Sequence, residues 1–310
     1  MSTQAVSVGT LRVGVDIGGT KTDAVAITPD GRVAEQLRLP TGFGSSAVVE
    51  TAVAAVTELA TLAGLDTAAF HSIGIGIPGA VDNGTGRVSH AVNLGFDGLD
   101  LGVELSARLG REVRIENDVN AAALGAFHLL EKSPDHSMAY LNLGTGLAAG
   151  LVLGGKLWRG SRGTAGEIGH IPVDPSGPLC PCGQRGCLET VASGSAVARQ
   201  WPSTDPKPVR ALFAAAASGD PLALEVKNRL VENVAAAVRI LVLTVDVDSV
   251  VIGGGISSLG DTLLAEVRGV LESWATASPF LASLDLADRV QIVPADFPAA
   301  AVGAALVGAA

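Results

Sequence analysis

Asp16-Ile17-Gly18-Gly19-Thr20-Lys21-Thr22 decides how this chain is read. An apolar run, Leu11–Ile17, leads into the stretch, and Thr22–Ile27 leads away from it. That pattern is a buried strand, a two-glycine turn and a returning strand. Pro29-Asp30-Gly31 then turns the chain into a third strand, Val33–Leu39. Glycines let a backbone approach a phosphate closely and aim its N–H groups at it. Thr20 adds a hydroxyl and Lys21 a point charge. Asp16, at the strand end, is placed to orient Mg²⁺ directly or through water. The stretch fits neither a GxxxxGK[ST] loop nor a GxGxxG fingerprint. Taken alone, it is evenly balanced between a phosphate loop and a tight turn.

The balance shifts because the device returns. Met138–Leu143 reads as a strand, Gly144-Thr145-Gly146 as a turn and Ala148–Leu153 as the returning strand. After each hairpin, strands alternate with helices. The first half gives a helix at Ser46–Ala63, a strand at Ser72–Ile77, a short helix at Leu101–Leu109, a strand at Val113–Glu116 and a helix at Ala121–Leu130. The second half gives helices at Gly194–Gln200, Val209–Ala217 and Leu222–Val245, then a strand at Ser249–Ile252. A helix at Asp261–Ala275, a strand at Val290–Val293 and a helix at Ala299–Val307 close the chain. Alternation of this kind predicts the α/β class. Two such hairpins facing each other across a cleft is how two-lobed ATPases hold a phosphate chain. Gly254 and Gly255, after the strand Ser249–Ile252, offer a third flat backbone surface, suited to adenine or ribose.

Two further groups carry chemistry. Asn117-Asp118 follows a strand and opens a helix. Capping alone explains such a pair, yet a carboxylate at this junction is also placed to take a proton from a hydroxyl. His170, Cys180, Cys182 and Cys187 have the spacing H-x9-C-x-C-x4-C. Three thiolates and one imidazole complete a closed tetrahedral Zn²⁺ site, which implies a structural role. They lie in Trp158–Glu189, a Gly- and Pro-rich stretch too long for an idle connection. Glu167 and Glu189 flank the ligands and, with Asn117 and Asp118, suit a polyhydroxylated ligand.

Composition excludes several classes. The 310 residues are 48% hydrophobic and 17% charged, ordinary for a globular chain. A net charge of −10 argues against a nucleic-acid surface, which would be basic. Bound nucleotide is not excluded, because backbone N–H groups and Mg²⁺ hold phosphates without a basic patch. No apolar run reaches bilayer-spanning length, and Met1 to Thr10 lacks the features of a signal peptide. Three cysteines clustered in one loop read as metal ligands in a reducing, cytoplasmic setting.

Together these residues resemble the ROK family, named for repressors, open reading frames and kinases. The resemblance rests on Asp16–Thr22, Glu116-Asn117-Asp118, Gly144-Thr145-Gly146, Gly166-Glu167-Ile168-Gly169-His170, the three-cysteine loop with Glu189, and Ser193-Gly194. It runs from about Val13 to the C-terminus. It implies a two-lobed, actin-like (hexokinase/ROK) α/β fold with a structural zinc loop at residues 170–187. Residues 1–118 plus 296–310 would form a small lobe and 119–295 a large one. The resemblance implies ATP and Mg²⁺ beside a hexose or N-acetylhexosamine. Asp118 would be the general base for the sugar 6-OH. Gly79, Asn93, Asn117, Glu167, His170 and Glu189 would hold the sugar, with His170 also a zinc ligand. Asp16, Gly18, Gly19, Thr20, Lys21 and Thr22, with Gly144, Thr145 and Gly146, would serve the phosphates, and Gly254 and Gly255 the adenosine side.

Glucose is the expected sugar, with N-acetylglucosamine or N-acetylmannosamine as alternatives. A homodimer is expected from the resemblance alone. Leu147-Ala148-Ala149 stands where the family often has more glycine, and Phe96 where many glucose-type members have Trp. The rival reading is a non-catalytic sugar sensor. A repressor of this family needs a DNA-binding segment ahead of the sugar domain, and only about ten residues precede the first strand here.

Overall fold

The computed structural model describes residues 10–130, 132–294 and 296–309. The expectation about a signal peptide therefore lies, apart from Thr10, outside the described residues. In chain order the first elements are β1 (Arg12–Ile17), β2 (Lys21–Ile27), β3 (Val33–Pro40), α1 (Ser45–Ala63), β4 (Ser72–Ile77), β5 (Ala80–Asp82), β6 (Arg87–Ser89), β7 (Gly98–Leu99), α2 (Leu101–Leu109), β8 (Val113–Asn117) and α3 (Asp118–Leu129). Next come β9 (Met138–Leu143), β10 (Leu147–Leu153), β11 (Lys156–Leu157), α4 (Glu189–Ala192), α5 (Gly194–Gln200), α6 (Pro208–Ala217), α7 (Pro221–Val245) and β12 (Ser249–Gly253). The chain closes with α8 (Asp261–Ala277), α9 (Pro279–Ala282), β13 (Val290–Ile292) and α10 (Ala299–Gly308).

The chain divides into two compact units. The first takes the residues up to Lys132, the segment Arg159–Thr164, and the residues from Pro298 onward; the second takes Ser133–Trp158 and Ala165–Phe297. The first unit thus extends past residue 118, where the sequence expectation put the lobe boundary. α3 belongs wholly to the first unit because α10 packs along it. Cβ atoms at Gly125 and Gly303 would overlap the carbonyls of Ala299 and Ala121, so only glycine permits this approach. Gly14 on β1 and Gly74 on β4 admit the same helix against the sheet.

In the first unit the sheet order is β3-β2-β1-β4-β8, with β1, β4 and β8 parallel and β1, β2 and β3 antiparallel. β4 is buried along its whole length, in keeping with its sequence SIGIGI, which places no charged residue on either face. α1 is long and apolar enough to cross a membrane by length and composition. It is instead a core helix, burying Val48, Val49, Ala52, Val56 and Leu59 with the sheet. The three-stranded sheet β5-β6-β7 was not expected. Its strands are too short to show a period of two.

The second unit repeats the order. Its sheet runs β11-β10-β9-β12-β13, with β9, β12 and β13 parallel and β9, β10 and β11 antiparallel. α7 buries Leu230, Val234, Val238 and Leu241, spaced by three or four residues, in this unit's core. Trp158–Glu189 is largely irregular, held by a short helical turn at Ile168–His170 and by bridges pairing Pro172 with Cys187 and Leu179 with Arg185.

Candidate active site and metal centre

In the first unit, β1, β4 and β8 run parallel and end at one edge, so their last residues come together. The Gly18-Gly19 turn is closed by Gly18 N–H donating to Lys21 O at 2.9 Å, and Thr41 N–H donates to Thr20 O at 3.1 Å. Gly19 lies beside Asn93, whose carbonyl oxygen would be 3.7 Å from a Cβ placed there. The expected phosphate turn and one sugar-side residue are therefore neighbours. Thr22 is different: it is buried, and its hydroxyl is bonded to that of Thr41 at 2.7 Å. Its side chain fixes the strand end and is not offered to a phosphate.

Gly76 on β4 sits between the two key carboxylates. A Cβ at Gly76 would lie 3.8 Å from Asp16 Oδ1 and 3.7 Å from the Asp118 Cα. Burial pushes the Asp16 carboxyl up to about 8, Asp118 and Asp23 add to the rise, and Lys21 opposes it. Carboxylates gathered in this way repel one another until a proton or cation neutralises the group. The donor set and its electrostatics thus fit Mg²⁺.

Asp118 opens α3 and is half-buried. Asn117 is the N-cap: its Oδ1 accepts from Val119 N–H at 2.9 Å and Asn120 N–H at 3.2 Å. Its Nδ2 donates to Gly79 O at 3.1 Å, so the cap also ties down the Gly79 loop. Gly79 has φ +112°, and a Cβ there would come within 2.6 Å of Ser89 O. The capping and functional readings of Asn117 are compatible, because one amide hydrogen remains for a ligand. The cap starts α3 at Asp118, one turn earlier than its apolar spacing predicts.

Sequence reasoning did not find the network behind this corner. Glu116 is only 1% exposed. Its Oε2 accepts from Arg159 Nε at 2.8 Å, Arg159 Nη2 at 2.5 Å and Asn83 Nδ2 at 3.0 Å. Its Oε1 accepts from Asn117 N–H at 3.0 Å and Asn120 Nδ2 at 3.1 Å. Glu116 stood in the quoted motif, but Arg159 is 43 residues away and carried no signal.

In the second unit, the Gly144-Thr145-Gly146 turn is bolted from below. Gly194 N–H donates to Gly144 O at 2.8 Å, and Ser195 N–H and Oγ donate to Thr145 O at 3.2 and 2.8 Å. Glu189 Oε2 accepts from Leu147 N–H at 2.9 Å. Glu189 therefore braces the turn, and its Cβ would lie 3.4 Å from one placed on Gly169, next to His170. Glu167 is exposed on the same loop. Gly254, at φ +81°, lies against Asn142 and Leu143, beside the same turn, and Gly255 faces open space.

The ligand atoms of His170, Cys180, Cys182 and Cys187 all lie within 4.8 Å of one another. Cys182 Sγ is 3.6 Å from Cys187 Sγ, and Cys180 Sγ is 3.8 Å from His170 Nδ1. A tetrahedron with arms of about 2.3 Å has edges of about 3.8 Å, so the cluster fits Zn²⁺. Hydrogen bonds from the Gln184 backbone and side chain draw the Cys182 thiol down to about 6, and burial pushes Cys187 up to about 12.

Comparison with known proteins agrees with these arrangements. A model of the ROK family matches residues 12–307. The chain belongs to the ROK family. Its ROK relatives include a glucokinase of Halalkalibacterium halodurans, 33% identical over 283 residues, covering 85% of this chain and 86% of the relative. They also include an N-acetylmannosamine kinase of Vibrio cholerae, 34% identical over 263 residues, covering 84% and 88%. Among solved structures, a ROK family glucokinase from Streptomyces griseus in complex with glucose and AMPPNP superposes with a TM-score of 0.79 at 31% identity, covering 96% of this chain and 99% of that one. The repeated α/β units of this ROK chain are thus the actin-like ATPase fold.

Proposed function

We propose that this chain is an ATP-dependent sugar kinase that phosphorylates a hexose, glucose at its 6-OH in the first instance. The observation that carries the reading is Asp118, presented at the start of α3 near Asp16, whose strand runs into the Gly18-Gly19 turn. Asp118 would accept the proton of the attacking hydroxyl. Asn117, Gly79 and Asn93 would orient that sugar, and family membership adds Glu167, His170 and Glu189 as sugar-side candidates. His170 turns Nδ1 toward the cysteines, leaving Nε2 for a hydroxyl. The Gly18–Lys21 and Gly144–Gly146 turns would donate backbone N–H groups to phosphate oxygens, with Gly254 and Gly255 beside the nucleoside. Mg²⁺ held by Asp16 would neutralise charge on the transferring phosphoryl group. Phosphoryl transfer depends chiefly on positioning and charge stabilisation, and the base adds to these the removal of the hydroxyl proton.

Zn²⁺ on the three thiolates and His170 would fix the loop carrying Glu167 and Glu189. The N-acetylmannosamine kinase relatives keep an N-acetylhexosamine as the second reading for the substrate. A cytoplasmic homodimer completes the proposal, supported by family membership; light scattering at micromolar concentration tests the assembly.

The deciding experiment is ADP release from Mg-ATP across a panel of hexoses and N-acetylhexosamines, with Asp118→Asn beside the wild type. Turnover with one sugar, reduced about 10²–10⁴-fold in the variant, is the expected result. Near-normal turnover of the variant would remove Asp118 as base. A folded, zinc-bearing wild type silent across the panel would remove the kinase reading.

A further inference from the structure

We infer that the Glu116–Arg159 pair is a positioning device for the Asn117-Asp118 corner, not only a structural ion pair. The inference rests on the kinase reading above. Glu116 immediately precedes the two residues, and its carboxylate bonds both sides of the bend they form. On the α3 side it accepts from Asn120 Nδ2, one turn into the helix, and from Asn117 N–H, at the cap. On the other side it accepts from Asn83 Nδ2, which also donates to Ile115 O at 3.1 Å and so grips the end of β8. Rotation of the first turn of α3 about the strand end would break one set or the other. The carboxylate is thus the pivot about which Asp118 is aimed.

Arg159 locks this pivot. Glu116 is 1% exposed, so its charge needs a partner. Arg159 supplies one with two N–H groups on a single oxygen, Oε2. This leaves Oε1 to the α3 donors and prevents the carboxylate from turning. A lysine in its place would supply charge but not the planar two-donor edge. The arginine comes from Arg159–Thr164, a six-residue strap that belongs to the first unit although the chain on either side belongs to the second. The strap also lines a cavity of about 440 Å³ with Asn83 and Ser89, giving a small solute access to the Arg159 position.

A base displaced by about 1 Å costs on the order of 10²-fold in rate. Arg159→Ala is therefore expected to lower kcat about 100-fold, to leave KM for Mg-ATP within about threefold, and to speed hydrogen exchange at Val119 and Asn120. Added guanidinium should restore at least about a tenth of the lost turnover, and Arg159→Lys should fall between wild type and Arg159→Ala. A purely structural pair predicts otherwise: a lower melting temperature with kcat per folded molecule unchanged, and no rescue. That outcome, or unaltered exchange at Val119 and Asn120, overturns the inference. Should the wild type phosphorylate no sugar, the kinase reading fails by itself, and the exchange measurement still decides whether Arg159 holds the corner.

Discussion

Asp16 and Asn142 occupy the same place in two sheets of the same order. Each is the second residue from the end of the strand that opens a glycine turn, and each pairs across the parallel neighbour with a glycine, Gly76 or Gly253. Their surroundings diverge. Asp16 joins Asp23 and Asp118, and its carboxyl is raised to about 8 by burial and by those neighbours. Asn142 carries no charge and lies against Gly254. One sheet order occurs twice, with an aspartate before the first glycine turn and an asparagine before the second. On the kinase reading proposed above, the carboxylates gather where a proton and a phosphoryl group would move. The second copy needs only a rigid turn, and the bonds from Gly194, Ser195 and Glu189 provide it.

The sharpest way to break this contrast is to make the first unit like the second. Asp16→Asn should lower kcat by about 10²–10³-fold, the cost of removing a group aimed at transition-state charge. The same change should stabilise the metal-free protein. Between pH 3.8, the ordinary carboxyl value, and about 8, folded Asp16 retains a proton that the unfolded chain has lost. Stability therefore falls as pH rises through that window, and Asn escapes the loss. Thermal unfolding of both proteins at pH 5 and pH 8 should show the variant's advantage growing with pH; a constant difference would refute the assignment.

Next in size is the packing of α10. Gly303→Ala forces a methyl into the Ala121 carbonyl and should cost about 1–3 kcal/mol or more in denaturant unfolding. The reciprocal exchange, Asn142→Asp, puts a carboxylate beside the second glycine turn. Repulsion of about 1 kcal/mol or more from a bound phosphate should raise KM for the nucleotide about fivefold or more with the sugar KM unchanged. The smallest effect is Gly269→Ala on α8, where an added Cβ meets nothing within 4 Å. It should stabilise the protein by about 0.5–1 kcal/mol, because an exposed mid-helix glycine gains nothing from its freedom.

The parts legible in the sequence were those whose physics is local. Apolar runs ending in glycine located β1, β9 and β12, and Ser72–Ile77 and Leu101–Leu109 match their elements to the residue. The Cys/His cluster was legible because four residues of one loop carry the whole signal. What escaped was set by distant partners. Arg159 acquires its meaning only where the fold returns it to Glu116. That Asp16 and Asn142 each face a glycine of the parallel neighbour, Gly76 or Gly253, emerges only after the strands are paired. The first unit takes in α3 because a helix near the far end of the chain packs on it, through glycines that sequence alone cannot match to their carbonyls.

That last feature bears on how the molecule is made. α10 fills a groove over β1, β4 and α3, yet it leaves the ribosome only after the whole second unit. At about 5–20 residues per second, the sheet of the first unit waits roughly ten to thirty seconds with Gly14 and Gly74 uncovered. The unit that begins the chain is thus the later one to be completed. During synthesis its bare face is the surface a chaperone would meet, and a premature stop before Ala299 would release a chain whose first-unit groove stays open.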